Sequence, residues 1–306
     1  MRIAGVEALD VRVGLGTAAL GGLFAAVDDE TAEAAIELAW ERGVRLFDTA
    51  PLYGLGLSER RLGRSLAGRP RDEFVLSTKV GRLLRADAPP DPGESHWKGT
   101  PPVNPVFDFS FDGVLRSVEE SLERLGLDRI DVLHIHDPDD HYEEALTGAY
   151  PALDRLRSEG VIGAVGAGMN QVEMLLRFAR EADFDCFLIA GRYTLLDRAA
   201  QPELLPLCLE RGIAVLIGGV FNSGLLAGGA RFNYRPAPPD LVARAAGLEA
   251  TCARYGVPLA AAALQYPLRH PAVASVLLGP RSPAQLGNSL DLLELPIPTE
   301  LWAELQ

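Results

Sequence analysis

The chain has 306 residues, of which 48% are hydrophobic and 23% are charged, and its formal net charge at pH 7 is −13. This length is enough for a large buried core and is normal for an α/β barrel. The acidic balance and the lack of any block of basic residues argue against a nucleic-acid partner, because phosphate binding requires clustered cations.

Short apolar runs alternate along the chain with longer amphipathic runs. The short runs predict β-strands at Val11–Leu15, Leu46–Thr49, Phe74–Lys79, Ile130–His136, Ile162–Ala167, Cys186–Ile189, Ala214–Ile217 and Ser275–Leu278. The longer runs have apolar residues three and four positions apart and predict helices at Asp29–Arg42, Ser58–Leu66, Phe111–Leu125, Tyr150–Glu159, Gln171–Ala182, Glu203–Arg211, Leu241–Tyr255 and Ser282–Leu293. Such alternation predicts a parallel sheet with right-handed crossovers, and about eight units predict its closure into an α/β fold of the (β/α)8 TIM barrel type, one domain over residues 1–306.

An open, doubly wound sheet is the alternative architecture. Such a sheet is expected to carry a glycine-rich nucleotide turn after an early strand, but Gly14–Ala18 (GLGTA) does not match GxGxxG. The longest stretch without a regular pattern is residues 81–105, which follows the predicted strand that ends at Lys79. Because it leaves the catalytic end of a barrel, we interpret it as a substrate lid, with a plain insertion as the alternative.

Cysteine usage and the N-terminal residues predict the compartment. The three cysteines, Cys186, Cys208 and Cys252, are far apart and form no CxxC pair, which fits a reducing compartment rather than a disulfide framework or a structural zinc site. No apolar run reaches the length of a membrane span, and the first residues lack the apolar stretch of a signal peptide. We therefore expect a cytoplasmic protein with no membrane partner.

Polar residues stand where three of the predicted strands end. Asp48, Lys79 and His136 lie at carboxyl ends, and Tyr53 lies on the loop after Asp48. Lys79 is one of only two lysines in the chain, the other being Lys98. In a barrel these ends meet at one mouth. A tyrosine has a pKa of about 10, which a neighbouring ammonium lowers, while a carboxylate beside the lysine keeps it charged and in place.

The sequence thus predicts a proton relay of Asp48, Lys79 and Tyr53, with His136 binding the reacting oxygen. Each of the four has an ordinary structural explanation: Asp48 as a helix cap, Tyr53 as a rim aromatic, Lys79 as a solvated strand end and His136 as a core histidine. Their joint occurrence at successive strand ends favours the catalytic interpretation.

A metal-dependent barrel hydrolase is the competing hypothesis from another reaction class. His134 and His136 share one strand face, and an HxH pair of this kind binds metal in some barrel enzymes. Asp137 and His141 follow closely, but the only histidine after them is His270. We therefore expect no metal site, and we expect His134 to fill an inner layer of the barrel.

The sequence around these residues resembles a known family. Phe47–Gly54, followed by Ser58 and Glu59, resembles the FDTAxxYG…SE signature of the aldo-keto reductase superfamily. The resemblance implies a (β/α)8 barrel that binds NAD(P) without a Rossmann domain, in which Asp48, Tyr53, Lys79 and His136 match the catalytic tetrad. It implies hydride transfer between C4 of the nicotinamide and a carbonyl or carbinol carbon. Tyr53 is then the acid in reduction and the base in oxidation.

Four segments look like the aldose 1-dehydrogenase branch of that superfamily, which covers D-threo-aldose, L-fucose and L-galactose dehydrogenases. They are His136–Asp139, Gly166–Gln171, Arg192–Asp197 and Gly218–Gly224. The branch oxidises the anomeric carbon of a sugar to a lactone, and pyridoxal 4-dehydrogenase is also similar to it. A general aldehyde or ketone reductase would use the same tetrad, and a non-enzymatic nucleotide-sensing module would use the same barrel. A small-molecule substrate, either a sugar or an aldehyde, and a monomer or homodimer are expected.

The same resemblance implies the binding residues. The expected cofactor contacts are Thr17, Asn170, Gly218, Gly219, Asn222, Ser223, Gly224, Gly279, Arg281, Ser282 and Gln285, and the expected substrate contacts are Phe24, Leu55 and Trp97. Many family members contact the carboxamide through Ser-Asn, where this chain has Gly168-Met169, so Asn170 is the candidate. At the adenosine 2′-phosphate site, this chain has Gly279 where a lysine is common in the family and Gln285 where an arginine is common. Arg281 remains as a cation, and Ser282 is the expected helix N-cap, so NAD and NADP both stay open.

Overall fold

The computed structural model describes residues 2–3, 5–6, 9, 11–90 and 96–305. Within these residues, eight parallel strands form a closed barrel: β1 (Val13–Gly16), β2 (Leu46–Asp48), β3 (Val75–Val80), β6 (Val132–His136), β7 (Ala164–Met169), β8 (Cys186–Ala190), β9 (Ala214–Gly218) and β12 (Val273–Leu278). Neighbouring strands follow one another in chain order around the barrel, and β12 pairs with β1 to close it. The predicted (β/α)8 fold is confirmed, and each predicted strand overlaps an observed one.

Helices follow the strands and cover the outside of the barrel. They are α1 (Asp29–Glu41), α2 (Leu57–Leu66), α3 (Phe111–Leu125), α4 (Tyr142–Glu144), α5 (Tyr150–Ser158), α6 (Val172–Glu181), α7 (Leu204–Arg211), α8 (Pro239–Arg254), α9 (Leu259–Gln265), α10 (Pro283–Glu294) and α11 (Thr299–Glu304). Local sequence sets their ends: in α3, the Ser110 side chain accepts from Gly113 N, and Gly126 closes the helix at φ 64°. In the part of the chain that the structure describes, no helix has the length and apolar character needed to cross a bilayer.

The two-residue period of the strands sorts side chains between two cores. Leu46, Val75 and Val132 lie in one buried cluster, while Phe47 and Leu76 belong to the larger cluster that includes residues of the covering helices. Because alternate residues share a face, Asp48, Lys79 and His136 stand on the same face as the first set, near the carboxyl ends of their strands. Strand alternation therefore places three polar side chains of the predicted site together at the mouth.

The stretch 81–105, predicted to be irregular, contains an antiparallel ribbon. Its strands are β4 (Arg82–Arg85) and β5 (Asn104–Phe107), with Arg82 opposite Phe107. The prediction was wrong here because neither short strand alternates clearly, and each is stabilised by a partner about twenty residues away. Residues 91–95 of the predicted lid lie outside the described residues.

A second ribbon, also not predicted, joins β10 (Arg231–Phe232) to β11 (Arg235–Pro236). Its turn holds Asn233 and Tyr234 at φ values of 46° and 66°. Both backbone angles are left-handed, as a tight two-residue hairpin turn requires.

Candidate active site

A buried ion pair lies at the mouth of the barrel, between β2 and β3. Lys79 Nζ is 2.9 Å from Asp48 Oδ1 and 2.7 Å from Oδ2, and it donates to the Thr49 carbonyl oxygen at 2.8 Å. Lys79 is 1% exposed and Asp48 is 2% exposed. The three acceptor atoms match the three N–H groups of an ammonium, which fixes the position of the charge.

A hydroxyl network holds this pair from below. Thr17 Oγ1 donates to the Asp48 carbonyl oxygen at 2.9 Å, and Ser58 Oγ lies 2.6 Å from Thr17 Oγ1. Ser77 Oγ donates to Asp48 Oδ1 at 2.9 Å, and Thr78 Oγ1 donates to Glu59 Oε1 at 2.8 Å. The serine and glutamate of the signature therefore connect the loops and strands around the ion pair. Thr17 is 1% exposed, so its side chain supports Asp48, and the structure gives no support to the expected cofactor contact of its hydroxyl.

Tyr53 lies on the loop after β2, above the ion pair. Lys79 Nζ is 4.7 Å from the centroid of its ring, and the ring of His136 meets it edge-on at 5.7 Å. The next residue, Gly54, has φ +62°, and a Cβ there would stand 2.1 Å from the Gly21 carbonyl oxygen. Only glycine allows this close approach, which fixes the loop that carries the tyrosine.

The acidity of Tyr53 differs from the sequence prediction. Burial of the phenol, together with the carboxylates of Asp48 and Asp137, raises its pKa well above the ordinary value of 10. The expected lowering by Lys79 is absent because Asp48 neutralises that ammonium at hydrogen-bond distance. In the chain alone, Tyr53 is therefore a neutral phenol at physiological pH, in the form that donates a proton.

His136 closes the site from β6. Burial and the nearby charges of Arg82 and Lys79 hold its pKa well below the ordinary value of 6.5, so the imidazole is neutral near pH 7. Arg82 Nη1 donates to the His136 carbonyl oxygen at 2.8 Å. A neutral imidazole carries one N–H, which is the group needed to orient a substrate oxygen.

Arg82, Asp137 and Tyr234 also lie close enough to act on the pKa of Tyr53. The residue pattern predicted no role for Arg82 or Tyr234, and it named Asp137 only in the metal-hydrolase hypothesis and in the segment His136–Asp139. Asp137 Oδ2 lies 3.4 Å from His136 Nε2 and 3.9 Å from Arg82 Nη2. Asp137 directly follows a predicted catalytic residue, which was the one available signal. Tyr234 reaches the site from the β10–β11 turn, which the sequence pattern did not predict.

His134 lies one layer deeper on the same strand face and is fully buried. Burial and the Lys79 ammonium lower its pKa from 6.5 to about 3. This matches the expectation of an inner-layer residue. Among the described residues, no group of three or more His, Cys, Asp or Glu side chains is arranged to hold a metal ion. The geometry therefore gives the metal-hydrolase hypothesis no support.

A stability prediction follows from His134. The unfolded chain binds a proton at this histidine below pH 6.5, whereas the folded chain does not until about pH 3. Folding stability from this residue is therefore complete above pH 6.5 and is lost as pH falls towards 3, with a slope of up to about 1.4 kcal/mol per pH unit. We expect His134→Leu to reduce the slope of unfolding free energy between pH 6.5 and 4.5, measured by urea titration. His270→Leu, at a part-buried histidine whose pKa burial also lowers, is the comparison and should reduce the slope by less. An unchanged slope in His134→Leu would contradict this assignment.

The loop after β9 has the backbone form expected of a cofactor cradle. Gly219 and Gly224 have φ values of +62° and +103°, and Asn222 and Ser223 have 47° and 59°. A Cβ at Gly219 would stand 3.2 Å from Gly191 N. The Asn222 side chain is committed internally: its Oδ1 accepts from Thr194 Oγ1 at 2.7 Å and its Nδ2 donates to the Gly191 carbonyl oxygen at 3.2 Å. Asn222 thus braces the loop, and the exposed backbone is left to face a ligand.

The turn after β12 supplies the other part of the cradle. Ser282 Oγ accepts from Gln285 N at 3.3 Å, which confirms the predicted N-cap of α10. Arg281 is exposed, and its backbone N–H donates to Gln285 Oε1 at 2.9 Å. At Gly279 a Cβ would meet nothing within 4 Å. The Arg281 guanidinium donates to the Leu23 carbonyl oxygen at 3.3 Å. An exposed guanidinium near a helix N-terminus suits an anionic ligand, so these residues fit a dinucleotide.

The remaining predicted contacts lie around the mouth. Asn170 follows β7 and is half-buried, and its carbonyl oxygen accepts from Arg192 Nε at 2.8 Å. Gly218 ends β9 and is buried. The ring of Trp97 is 5.8 Å from that of Tyr53, and Trp97 shares a buried apolar cluster with Leu55. Phe24 lies farther out, with its ring 6.1 Å from that of Tyr234.

The sequence and the fold of the chain are similar to those of proteins with known activities. The aldo/keto reductase family profile matches residues 12–306, and the chain belongs to that family, whose members use NAD(P)H. It is 46% identical over 303 residues to D-threo-aldose 1-dehydrogenase from a Pseudomonas species, covering 96% of this chain and 92% of that protein. It is 45% identical over 317 residues to pyridoxal 4-dehydrogenase from Microbacterium luteolum, with the same coverage. The solved glycerol dehydrogenase from Gluconobacter oxydans superposes with a TM-score of 0.79 at 26% identity, over 100% of this chain and 93% of that one. The protein is an NAD(P)-dependent oxidoreductase.

Proposed function

We propose that this enzyme oxidises an aldose at C1 to the corresponding lactone, as an L-fucose, D-threo-aldose or L-galactose type of dehydrogenase. The observation that carries the proposal is the convergence of Tyr53, His136 and the Lys79–Asp48 ion pair at one mouth. The similarity to a D-threo-aldose 1-dehydrogenase over 96% of the chain supports the same substrate class.

In the proposed reaction, the anomeric hydroxyl lies between Tyr53 and His136. Tyr53 removes the hydroxyl proton, His136 donates its N–H to the same oxygen, and C1 loses a hydride as the C1–O1 bond becomes the lactone carbonyl. A bound dinucleotide would supply the hydride acceptor and, in its oxidised form, a positive charge that would oppose the carboxylates raising the pKa of Tyr53 in the chain alone. In the reverse direction, the neutral phenol donates its proton.

The cradle residues have separate proposed roles. The backbone of Gly218, Gly219, Ser223 and Gly224 faces the pyrophosphate, and Asn170 recognises the carboxamide. The α10 turn, with Gly279, Arg281, Ser282 and Gln285, faces the adenosine end. Gln285 is uncharged and bonds to groups of its own turn. Arg281 is therefore the cation proposed to discriminate a 2′-phosphate. The preference between NAD and NADP is decided by comparing kcat/KM with each dinucleotide.

Trp97 and the stretch around it are proposed as the substrate cover. Leu23 and Trp97 form a backbone bridge, and Lys98 N donates to the Gly22 carbonyl oxygen at 3.0 Å. These contacts attach residues 97–98 to the loop after β1, where the Trp97 ring is 5.8 Å from that of Tyr53. Phe24 and Leu55 complete the proposed wall. A cytoplasmic location, consistent with three free buried cysteines, belongs to the same proposal.

A second candidate is oxidation of pyridoxal, which the 45% identity to pyridoxal 4-dehydrogenase favours. The same tetrad and the Trp97 ring are proposed to bind a flat heterocycle in this second candidate. A general aldehyde reductase is a further use of this site.

The test is an absorbance assay at 340 nm with NAD and NADP against L-fucose, D-arabinose, L-galactose and pyridoxal. Reduction of simple aldehydes with NADH and NADPH is measured beside it. The proposal predicts that one of the aldoses has the highest kcat/KM and yields a lactone. A higher kcat/KM for pyridoxal or for a simple aldehyde would assign the site to that substrate instead.

A further inference from the structure

Asp137 holds an unusual backbone position next to the tetrad. It follows His136 at φ 40°, in the left-handed region, and its N–H donates to the Gly168 carbonyl oxygen at 2.9 Å. Left-handed backbone is uncommon for a side-chain-bearing residue, although Asp and Asn tolerate it better than most. The conformation turns the chain at the end of β6 and leaves the carboxylate at the mouth.

The carboxylate lies beside the group proposed to orient the reacting oxygen. Asp137 Oδ2 is 3.4 Å from His136 Nε2, and Arg82 Nη2 is 3.9 Å from the same oxygen. The carboxylate therefore lies beside both the imidazole and the guanidinium that border the mouth. The side chain is 26% exposed, in contrast to the buried Asp48. An ionised carboxylate only accepts hydrogen bonds, so the substrate group that suits it is a proton donor such as a hydroxyl.

We propose that Asp137 is a specificity residue that accepts a hydrogen bond from the hydroxyl on the carbon next to the reacting one, the C2 hydroxyl of an aldose. The inference rests on the proposed function. An oxygen held by Tyr53 and by Nε2 of His136 stands close to the Asp137 carboxylate, because Asp137 Oδ2 is 3.4 Å from that same nitrogen. In an aldose, the neighbouring proton-bearing oxygen is O2, whereas the ring oxygen has no proton and would repel a carboxylate.

The same chemistry separates the candidate substrates. Simple aldehydes have no adjacent hydroxyl for Asp137. In pyridoxal the carbon next to the reacting one is a ring carbon without a hydroxyl, and the phenol one carbon further on is largely ionised near neutral pH and would be repelled by the carboxylate. The Trp97 ring, 5.8 Å from Tyr53, adds the apolar face that the C–H patches of a sugar require. Asp137 therefore selects a substrate with an aliphatic hydroxyl on the adjacent carbon.

The test uses two matched pairs of sugars: L-fucose with 2-deoxy-L-fucose, and D-arabinose with 2-deoxy-D-ribose, which lacks only the C2 hydroxyl of D-arabinose. We expect the wild-type kcat/KM to fall roughly 10- to 100-fold on loss of that hydroxyl, as for a hydrogen bond to a charged group. Asp137→Asn is expected to lose a similar factor on the complete sugars and to distinguish the members of a pair by less than about threefold. Asn tolerates the φ of 40° at this position. Gly also tolerates it, so Asp137→Gly is a second variant, which removes the side chain altogether.

A merely structural role would lower kcat/KM equally for both members of a pair. A smaller ratio of complete to deoxy sugar in Asp137→Asn than in the wild type is therefore the readout specific to the proposed contact. Asp140→Asn makes the same change at an exposed residue three positions further on and should keep the wild-type ratio. Equal wild-type rates for complete and deoxy sugars, or losses that simply multiply, would overturn the role of Asp137 and leave the proposed function intact. No turnover of any of the four sugars would overturn the proposed function itself, and this inference with it.

Discussion

Tyr53→Phe is expected to lower kcat for aldose oxidation by about 10³-fold or more while the protein stays folded and binds its dinucleotide. The change removes one oxygen, and with it the only group proposed to carry the substrate proton; general acid–base catalysis is commonly worth 10²- to 10⁴-fold. The ring remains to pack between Trp97 and His136. The measurement is the steady-state rate at 340 nm, with dinucleotide affinity from fluorescence titration.

The pH dependence of the wild type supports the same assignment. Because the pKa of Tyr53 is raised, the phenolate needed for oxidation is scarce at neutral pH, so the oxidation rate should rise with pH through the alkaline range. Reduction uses the neutral phenol and should not gain from alkali. Tyr255→Phe, at a part-exposed tyrosine that contacts Glu304, is the matched control and should keep wild-type activity. Ordinary turnover in Tyr53→Phe would refute the role.

Lys79→Met is expected to lower both the turnover and the free energy of unfolding. Removing the ammonium leaves the carboxylate of Asp48, which is 2% exposed, without its partner. Breaking a buried pair from one side costs about 3–5 kcal/mol, because the remaining charge is uncompensated. The measurement is urea unfolding at pH 7 beside the kinetic assay.

The double variant Lys79→Met/Asp48→Asn separates stability from catalysis. Both charges are then absent, so we expect much of the lost unfolding free energy to return, while kcat stays near that of the single variant. Lys98→Met, at the second lysine of the chain, is exposed and should leave the unfolding free energy close to that of the wild type. Recovery of turnover in the double variant would show that the ammonium has no catalytic role.

The barrel was predictable because its signals are local. The strand that ends at His136 shows both the apolar run and the two-residue alternation, and the helix over Phe111–Leu125 is bounded by Ser110 and Gly126, as observed. The same alternation placed Asp48 and Lys79 on one face. Their ion pair then follows from the register of two adjacent strands.

Distances between remote segments were not predictable from the pattern. The β4–β5 ribbon pairs Arg82 with Phe107, and no local signal specifies that partner. The sign of the pKa shift at Tyr53 depends on the burial of the phenol and on the carboxylates of Asp48 and Asp137 around it, which the pattern did not specify. Asn222 illustrates the same limit: its position in the loop was predicted, but its bonds to Thr194 and Gly191 required the fold.

The most direct measurement of the central claim uses an aldose deuterated at C1. Direct hydride transfer at this mouth predicts one deuterium on C4 of the nicotinamide, found by NMR of the recovered reduced dinucleotide, together with a lowered kcat/KM. Appearance of the label in water, or an aldose that keeps its C1 deuterium while the dinucleotide is reduced, would contradict the account.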